Sequence, residues 1–448
     1  MRARAIVPLQ QLDEAVRPTM FSRLLGKHTS VLRMFSGAIA IQAMLSASSF
    51  FVGLLLVRRT SDAEYGYYVL ILATISLVTS LQGSFIGPPM IIRVSKSTHD
   101  ERANLIGGLL RDQARLLPLL ALLPVIFGVF LQIRGSLGLM LALTLIAGAA
   151  ATITSLRRNF LRSVLFAYRR PNDVLGSDAL YCVLLVLGAY AATFTPLPAA
   201  TAALTMAFAS MLGSYMLTKT LWRVETWNTK APFGMLREIA PLGAWSAFGS
   251  VSHWLFSQGY NYFVAGTLGV TAVAALAATR LLVMPVNLLS TGVASLMLPM
   301  VSNWTHRFSP PKVFIRLTLA SLGLAAMAAC YLLIMWLMRG WIFNDILKKQ
   351  LPDSDLLLEL WCVISIVMLC RDQLLHFLVA RAKFRVTSTV TLISAVLSIS
   401  SSLIAMRYIG APGALVGLLL GELFNVAGIV IFSVHEARAK TSDHEESA

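Results

Sequence analysis

The chain alternates between apolar runs of about twenty residues and short loops that hold nearly all of its charge. A helix of about twenty apolar residues spans the ~30 Å hydrocarbon core of a bilayer. No water satisfies backbone polar groups there, so the runs must be helices, since nothing in them alternates with the period of a barrel strand. Only 13% of the residues are charged, against about 25% in soluble domains. The pattern therefore predicts an all-α integral membrane protein.

Twelve runs are candidate transmembrane helices, six in each half of the chain. They predict two six-helix lobes, 35–217 and 242–432, joined by a cytoplasmic linker, 218–241, with a basic cytoplasmic leader, 1–34, and a cytoplasmic tail, 433–448. The predicted spans are 35–57, 67–92, 116–133, 137–156, 174–193, 197–217, 242–268, 273–300, 317–337, 356–378, 386–406 and 411–432.

The basic residues predict which way the chain is oriented. Loops and termini on one side hold 29 Lys and Arg, those on the other side hold 7, and Arg280 lies inside a span. Short basic loops stay in the cytoplasm, so both termini are predicted to be cytoplasmic. The net charge of +16 is spread over these loops rather than collected on one soluble face. We therefore expect a multi-pass plasma membrane protein with membrane lipids as partners and no nucleic acid.

An internal repeat relates the two halves. Adding 213 to the positions of Arg158, Leu161 and Leu165 gives Arg371, Leu374 and Leu378. Six spans per half give both halves the same orientation, which predicts a pseudo-twofold axis along the membrane normal. A substrate site is then expected between the lobes, where rocking exposes it to either side in turn.

Three segments resemble one transporter family. Residues 61–68 (SDAEYGYY) are similar to the acidic turn before the second span of polysaccharide flippases. Residues 277–282 (AATRLL) with 298–302 (LPMVS), and residues 410–415 (GAPGAL), are similar to that family's eighth and last spans. These flippases belong to the multidrug/oligosaccharidyl-lipid/polysaccharide exporter (MOP) superfamily.

The resemblance implies a function. It implies translocation of undecaprenyl-diphosphate-linked oligosaccharide repeat units across the bacterial inner membrane by alternating access, for O-antigen, capsule or exopolysaccharide assembly. The polyprenyl-diphosphate-linked oligosaccharide would be the cargo, and other polysaccharide assembly proteins are candidate partners.

Arg280 is the main candidate for binding an anionic headgroup. A diphosphate crossing hydrocarbon needs a cationic path, and arginine stays charged while binding phosphate oxygens through a two-pronged fork. Alternatively, Arg280 extends to the interface or pairs with an acid of a neighbouring helix. Arg158 and Arg371, near the cytoplasmic membrane edge, are further substrate-binding candidates, and ordinary positive-inside anchoring is the alternative.

Glu422 and Asp178 are acids inside apolar spans. Either carboxylate could exchange a proton or sodium ion and so couple transport to an ion gradient, or could pair with an arginine of a neighbouring helix. No cofactor is otherwise predicted.

The seventh span is dense in polar and aromatic residues. His253, Tyr260 and Asn261 lie on one face of an uninterrupted helix and are candidates for binding sugar rings. A helix-packing face is the alternative for these side chains. Asn287, Gln42 and Gln82 are weaker candidates for lining a cavity.

Several other functions compete with a flippase. A drug/cation antiporter of the same superfamily would need an acid-lined cavity, and the lipid II flippase family would normally bring fourteen spans. A membrane-embedded polysaccharide polymerase or ligase would need catalytic groups, but no motif sets an acid beside a base and no metal-ligand pattern stands out. The sequence therefore predicts a transporter rather than an enzyme, with a scaffold that merely shares the fold as a further alternative.

Overall fold

The structure, a computed structural model, describes residues 20–133, 138–168, 170–224, 227–381 and 383–445. All regular secondary structure in these ranges is helical. The helices are α1 (Met20–Arg59), α2 (Asp62–Lys96), α3 (His99–Ile133), α4 (Leu139–Ala167), α5 (Asn172–Ala192), α6 (Pro198–Val224), α7 (Met235–Gln258), α8 (Tyr260–Thr267), α9 (Val270–Arg307), α10 (Pro310–Leu337), α11 (Arg339–Trp341), a π-helical turn (Ile342–Leu347), α12 (Ser354–Ala380), α13 (Phe384–Ile409) and α14 (Ala411–Glu445).

Ten of the described helices are long and apolar enough to cross a membrane. They are α1, α2, α4, α5, α6, α9, α10, α12, α13 and α14. The multi-helix membrane architecture is thus confirmed. The other two predicted spans coincide with α3 and with α7 and α8 together. The count of twelve spans, the domain boundaries and the pseudo-twofold relation stay predictions.

The predicted seventh span is broken at Gly259 into α7 and α8. The backbone N–H of Gly259 still donates to the carbonyl of Leu255, but a Cβ at Gly259 would collide with that same oxygen. Glycine at this position avoids that collision. His253 thus belongs to α7 and Tyr260 to α8, rather than both to one helix.

The apolar core is continuous on one side of the molecule and divided on the other. A large cluster joins the ends of α1, α5 and α10 to the starts of α2, α6, α9 and α12, which all belong to the side predicted to be periplasmic. Towards the predicted cytoplasmic side the core splits in two: one cluster is built from α1 to α7, the other from α9, α10, α12 and α14. We call the region between these two clusters the cleft.

Close contacts seal the predicted periplasmic side. Gly66 of α2 lies against the backbone of Val270 at the start of α9, where a Cβ would collide with the Val270 carbonyl. Lys349, in the segment before α12, donates to the Asp62 carboxylate at 2.6 Å and to the Thr60 carbonyl at 2.8 Å. These contacts tie the first half of the chain to the second on the predicted periplasmic side.

Removing the Lys349–Asp62 ion pair should favour opening on the predicted periplasmic side. Both side chains are partly exposed, so the pair contributes about 0–1 kcal/mol and we expect Asp62→Asn to shift the population at most about fivefold. The measurement is labelling of Ser76→Cys, which lines the interior cavity, by an impermeant thiol reagent added outside, with Cys182, Cys330, Cys362 and Cys370 replaced.

The exposed Asp345, in the π-helical turn, supplies a matched control. Asp345→Asn removes the same charge from the same predicted side and should leave labelling unchanged. Equal labelling of both variants would show that the Lys349–Asp62 pair does not hold the molecule closed.

Candidate functional site

Arg280 lies deep in the membrane-spanning part of α9. It is ten residues from Val270, the first residue of the helix, or about 15 Å along the axis. That distance is about half of a ~30 Å hydrocarbon core. The backbone of Arg280 therefore lies well inside the helix rather than at its end.

Uncharged groups hold the Arg280 guanidinium in place. One of its terminal nitrogens donates to Gln258 Oε1 at 3.0 Å and to the Tyr260 hydroxyl at 3.1 Å. The Trp361 ring centre is 5.2 Å from the guanidinium carbon, a cation–π contact. Trp361 is itself fixed, because its indole N–H donates to the Leu276 carbonyl. These contacts orient the cation without cancelling its charge.

A cavity of about 270 Å³ lies beside Arg280, where α1, α2, α8 and α9 meet. It marks the level at which the continuous core gives way to the two separate clusters. Tyr65 and Tyr68 contribute rings from α2, and Asn287 contributes an amide two turns along α9 from Arg280. None of its described lining residues is acidic. The site thus offers one positive charge, aromatic surfaces and amide groups between the two halves of the chain.

The structure brings Arg280, Tyr260 and Asn261 together but places His253 elsewhere. Asn261 lines the cavity, donates to the Gln258 backbone and side chain, and keeps its Oδ1 without a partner among the described residues. His253 is exposed on α7 and does not line this cavity. It lies instead within electrostatic range of Arg371. The predicted sugar-binding role of these three residues stays a prediction.

Arg158 forms a buried ion pair in the first half of the chain. One of its terminal nitrogens donates to Asp178 Oδ1 at 2.6 Å, and Arg162 binds the other oxygen of the same carboxylate at 2.9 Å. Tyr181 covers the Arg158 guanidinium at 3.5 Å, and Gly213 of α6 leaves space for its side chain. Two arginines around one acid give this cluster a formal charge of +1.

Arg371 forms the corresponding ion pair in the second half. It binds both oxygens of the fully buried Glu422 at 2.6 Å and Asp372 at 2.8 Å. Asp372 also accepts from Ser290 of α9 at 3.1 Å, and its side chain is 34% exposed. Two acids around one arginine give this cluster a formal charge of −1.

The three candidate arginines therefore differ in whether an acidic side chain neutralises their charge. Arg158 and Arg371 are paired with buried acids, the geometry of interhelical links, whereas no carboxylate in the described part of the chain pairs with Arg280. A substrate role for Arg158 and Arg371 stays a prediction. Of the weaker candidates, Asn287 lines the cavity, while Gln82 bonds the side chains of Gln113 and Asn159 on neighbouring helices.

Sequence reasoning missed Tyr65 and Tyr68 as cavity residues. The signal was present, since both belong to the segment 61–68 that carries the family resemblance. The rest of that segment builds the local structure: Ser61 caps α2 through the Glu64 N–H at 3.3 Å. The Glu64 carboxylate in turn accepts from the Ala199 N–H at 2.8 Å, at the start of α6. The segment's acids are thus structural, and its aromatic residues face the cavity.

Solved transporter structures share this arrangement of helices. An inward-facing multidrug resistance MATE family transporter of the MOP superfamily matches with a TM-score of 0.71 and 12% identity, covering 89% of this chain and 96% of that one. Lipid II flippase MurJ in an inward closed conformation also matches, with a TM-score of 0.71 and 12% identity, covering 90% of this chain and 87% of that one. An outward-facing MATE transporter matches with a TM-score of 0.61 and 13% identity, covering 92% of this chain and 96% of that one.

The chain has the fold of MOP superfamily transporters. The resemblance to that superfamily is confirmed at the level of the fold. No protein-family model and no curated protein matches the sequence. The compared structures are transporters and flippases rather than enzymes.

Removing Asp178 should destabilise the protein. Asp178→Asn leaves Arg158 and Arg162 without an anionic partner, and an uncompensated buried charge costs about 3–5 kcal/mol. We expect a clearly lower melting temperature in detergent solution. Asp173→Asn, on the same helix, breaks only the exposed pair with Arg170 and should cost less than about 1 kcal/mol. Equal melting temperatures for the two variants would contradict a structural role for Asp178.

Proposed function

We propose that the protein translocates an undecaprenyl-diphosphate-linked oligosaccharide across the bacterial inner membrane by alternating access. The single observation that supports this function most strongly is Arg280, a cation inside a membrane-spanning helix that lines a cavity between the two halves and has only neutral partners among the described residues. A permanent positive charge without a counter-ion is costly in a membrane interior. An anionic cargo that supplies the counter-charge accounts for its presence.

The chemistry of the site fits a phosphate-linked sugar. Arginine carries five N–H donors, and the contacts to Gln258 and Tyr260 use one of its terminal nitrogens, so other donors remain for phosphate oxygens. The rings of Tyr65 and Tyr68 and the amides of Asn261 and Asn287 line the same cavity. Aromatic faces and amides are suited to the apolar faces and hydroxyls of sugar rings.

The arrangement of the core suggests a route for the headgroup. With the predicted periplasmic side sealed by α2, α9 and Lys349, a headgroup enters through the cleft and reaches Arg280 at its closed end. Opening on the other side requires the Lys349–Asp62 contact to break and the two cytoplasmic-side clusters to approach. The polyprenyl chain stays in lipid throughout, so only the polar headgroup needs a path through the protein.

A multidrug cargo of the kind that the MATE structures' names state is the second candidate. A cationic drug would need acidic groups beside it, and the described lining of the Arg280 cavity has none. The cation at the centre of that cavity favours an anionic, lipid-linked cargo, the class to which the lipid II of the compared MurJ structure belongs.

The cluster of Arg371, Glu422 and Asp372 supports coupling of transport to a proton or sodium gradient. Its net charge of −1 leaves room for one exchangeable cation, whereas the +1 cluster around Asp178 favours a permanently ionised acid. Ser290 links Asp372 to α9, the helix that carries Arg280. Of the two acids that the sequence marked for coupling, Glu422 is therefore favoured over Asp178.

Replacing Arg280 should abolish translocation. Arg280→Ala removes the charge that binds the headgroup, and we expect transport to fall at least tenfold at normal protein level, since a charge-assisted hydrogen bond is worth about 1.5–3 kcal/mol. Arg280→Lys keeps the charge without the fork geometry and should retain intermediate activity. The measurement is flipping of a lipid-linked oligosaccharide by reconstituted protein, with accumulation on the inner leaflet in cells as a second readout.

A matched control is Arg407→Ala, which removes an exposed arginine at the end of α13. It should leave flipping unchanged. Full flipping by a stably folded Arg280→Ala variant would contradict the proposed anion site. Transport of cationic drugs by the wild-type protein, in place of the lipid-linked sugar, would favour the antiporter function.

Removing one acid from the −1 cluster should uncouple transport from the ion gradient. Glu422→Gln leaves Arg371 neutralised by Asp372 alone, so the cluster no longer needs a proton or sodium ion. We expect wild-type flipping to fall when both gradients are collapsed, and flipping by Glu422→Gln to be unaffected by the same treatment. Glu359→Gln, an exposed acid of α12, is the control and should respond as wild type does. Wild-type flipping that stays unchanged when both gradients are collapsed would contradict the coupling role.

A further inference from the structure

A second cavity lies outside the Arg280 site, between α2, α3, α4 and α7 on the predicted cytoplasmic side. Its volume is about 480 Å³, which is within the range of small-molecule pockets. Its lining is almost entirely apolar and includes Leu81, Phe85, Leu116, Leu117, Leu156 and Ala244. We call it the apolar chamber.

A smaller cavity of about 260 Å³ adjoins the apolar chamber and shares Gln113 and Leu117 with it. This basic chamber is lined by Arg111, Arg157 and Trp227. The two chambers together are therefore amphipathic, apolar at one end and cationic at the other, with a tryptophan of the kind found at membrane interfaces.

Gln113 marks the junction of the two chambers and carries an unused donor. Its side chain is 94% buried, and its Oε1 accepts from Gln82 Nε2 at 2.9 Å. Its own Nε2 has no partner among the described residues. Because a buried amide donor left unpaired costs about 1–3 kcal/mol, an acceptor supplied by a ligand would relieve it.

The positive charge of the basic chamber is not cancelled by the acid next to it. Arg111 and Arg115 both contact the Phe233 ring, at 3.9 and 3.4 Å from its centre. Asp112 lies between them in sequence, but both of its oxygens accept backbone N–H groups at Gly234 and Leu236, where α7 begins. Arg157 is exposed, and no ion pair of the described residues involves it.

We propose that the two chambers bind one anionic phospholipid from the cytoplasmic leaflet. Arg157 and Arg111 hold the phosphate of its headgroup, the Gln113 amide donates to an ester carbonyl, and one acyl chain occupies the apolar chamber. Charge and shape together indicate this occupant. The basic chamber lies on the predicted cytoplasmic side, where anionic lipids attract basic residues. A lipid also has an acyl chain to fill the adjoining apolar chamber. The site is separate from the Arg280 cavity and independent of the cargo.

The bound lipid would stabilise the present arrangement of α7. The start of α7 packs into the cluster of the first half through Ile239, and α7 also contacts α13 of the second half. A lipid bridging α2, α3 and α4 to α7 fixes this crossing helix. A ligand that binds one conformation more tightly shifts the population towards it.

The test compares phosphatidylglycerol with zwitterionic phosphatidylcholine as additives to the full-length protein in detergent. Native mass spectrometry counts retained lipid, and thermal melting measures stabilisation. We expect wild type to retain phosphatidylglycerol selectively and to melt at a higher temperature with it. Arg157→Gln should weaken that binding about tenfold, the usual value of one charge-assisted contact.

Two further variants separate the parts of the site. Ala244→Leu fills the apolar chamber without changing charge and should also weaken phosphatidylglycerol binding. Arg385→Gln, an exposed arginine of the same predicted side but far along the chain, should bind as wild type does. Three results would overturn the proposal. They are equal retention of the two lipids by wild type, an equal loss of phosphatidylglycerol binding in Arg385→Gln and Arg157→Gln, and a full rise in melting temperature with inorganic phosphate alone.

Discussion

A charge in a membrane interior must be neutralised, and this constraint organises most of the structure. Arg158 and Arg371 sit beside the buried acids Asp178 and Glu422, and each pair joins two helices that would otherwise be held only by apolar packing. Arg280 is the exception. It is surrounded by an amide, a phenol and an indole, which orient a cation but do not cancel it. Among the three candidate arginines, Arg280 is thus the one whose charge no carboxylate of the described residues cancels.

The same two helices that seal the predicted periplasmic side also form the site. On α2, Gly66 makes the close approach to α9 possible, while Tyr65 and Tyr68 on either side of it face the cavity. On α9, the start of the helix receives that approach, and Arg280 follows ten residues later. Separation of α2 from α9 would therefore change the seal and the lining of the cavity at once, which is the coupling that alternating access requires.

Hydrophobic patterning predicted most of the fold, because membrane spans are determined by local composition. It also identified Arg280 and Asn287, since a polar residue in an apolar run stands out without any knowledge of its neighbours. Tertiary contacts were not predictable in this way. The break at Gly259 depends on a single glycine inside a continuous apolar run, and it separated His253 from Tyr260. The pairing of Arg158 with Asp178 joins residues on two helices, and nothing in either run indicates which partner each charge will meet.

The two buried clusters show how related positions can acquire different roles. Arg158 and Arg371 are 213 residues apart, matching the offset of the internal repeat, yet their acids come from different helices: α5 in the first half, and α12 with α14 in the second. A second arginine joins the first cluster and a second acid joins the other. The resulting charges of opposite sign have opposite consequences, because an excess of arginine holds a carboxylate ionised while an excess of carboxylate attracts a proton or metal cation. The half that also carries Arg280 is therefore the one for which we propose coupling to an ion gradient.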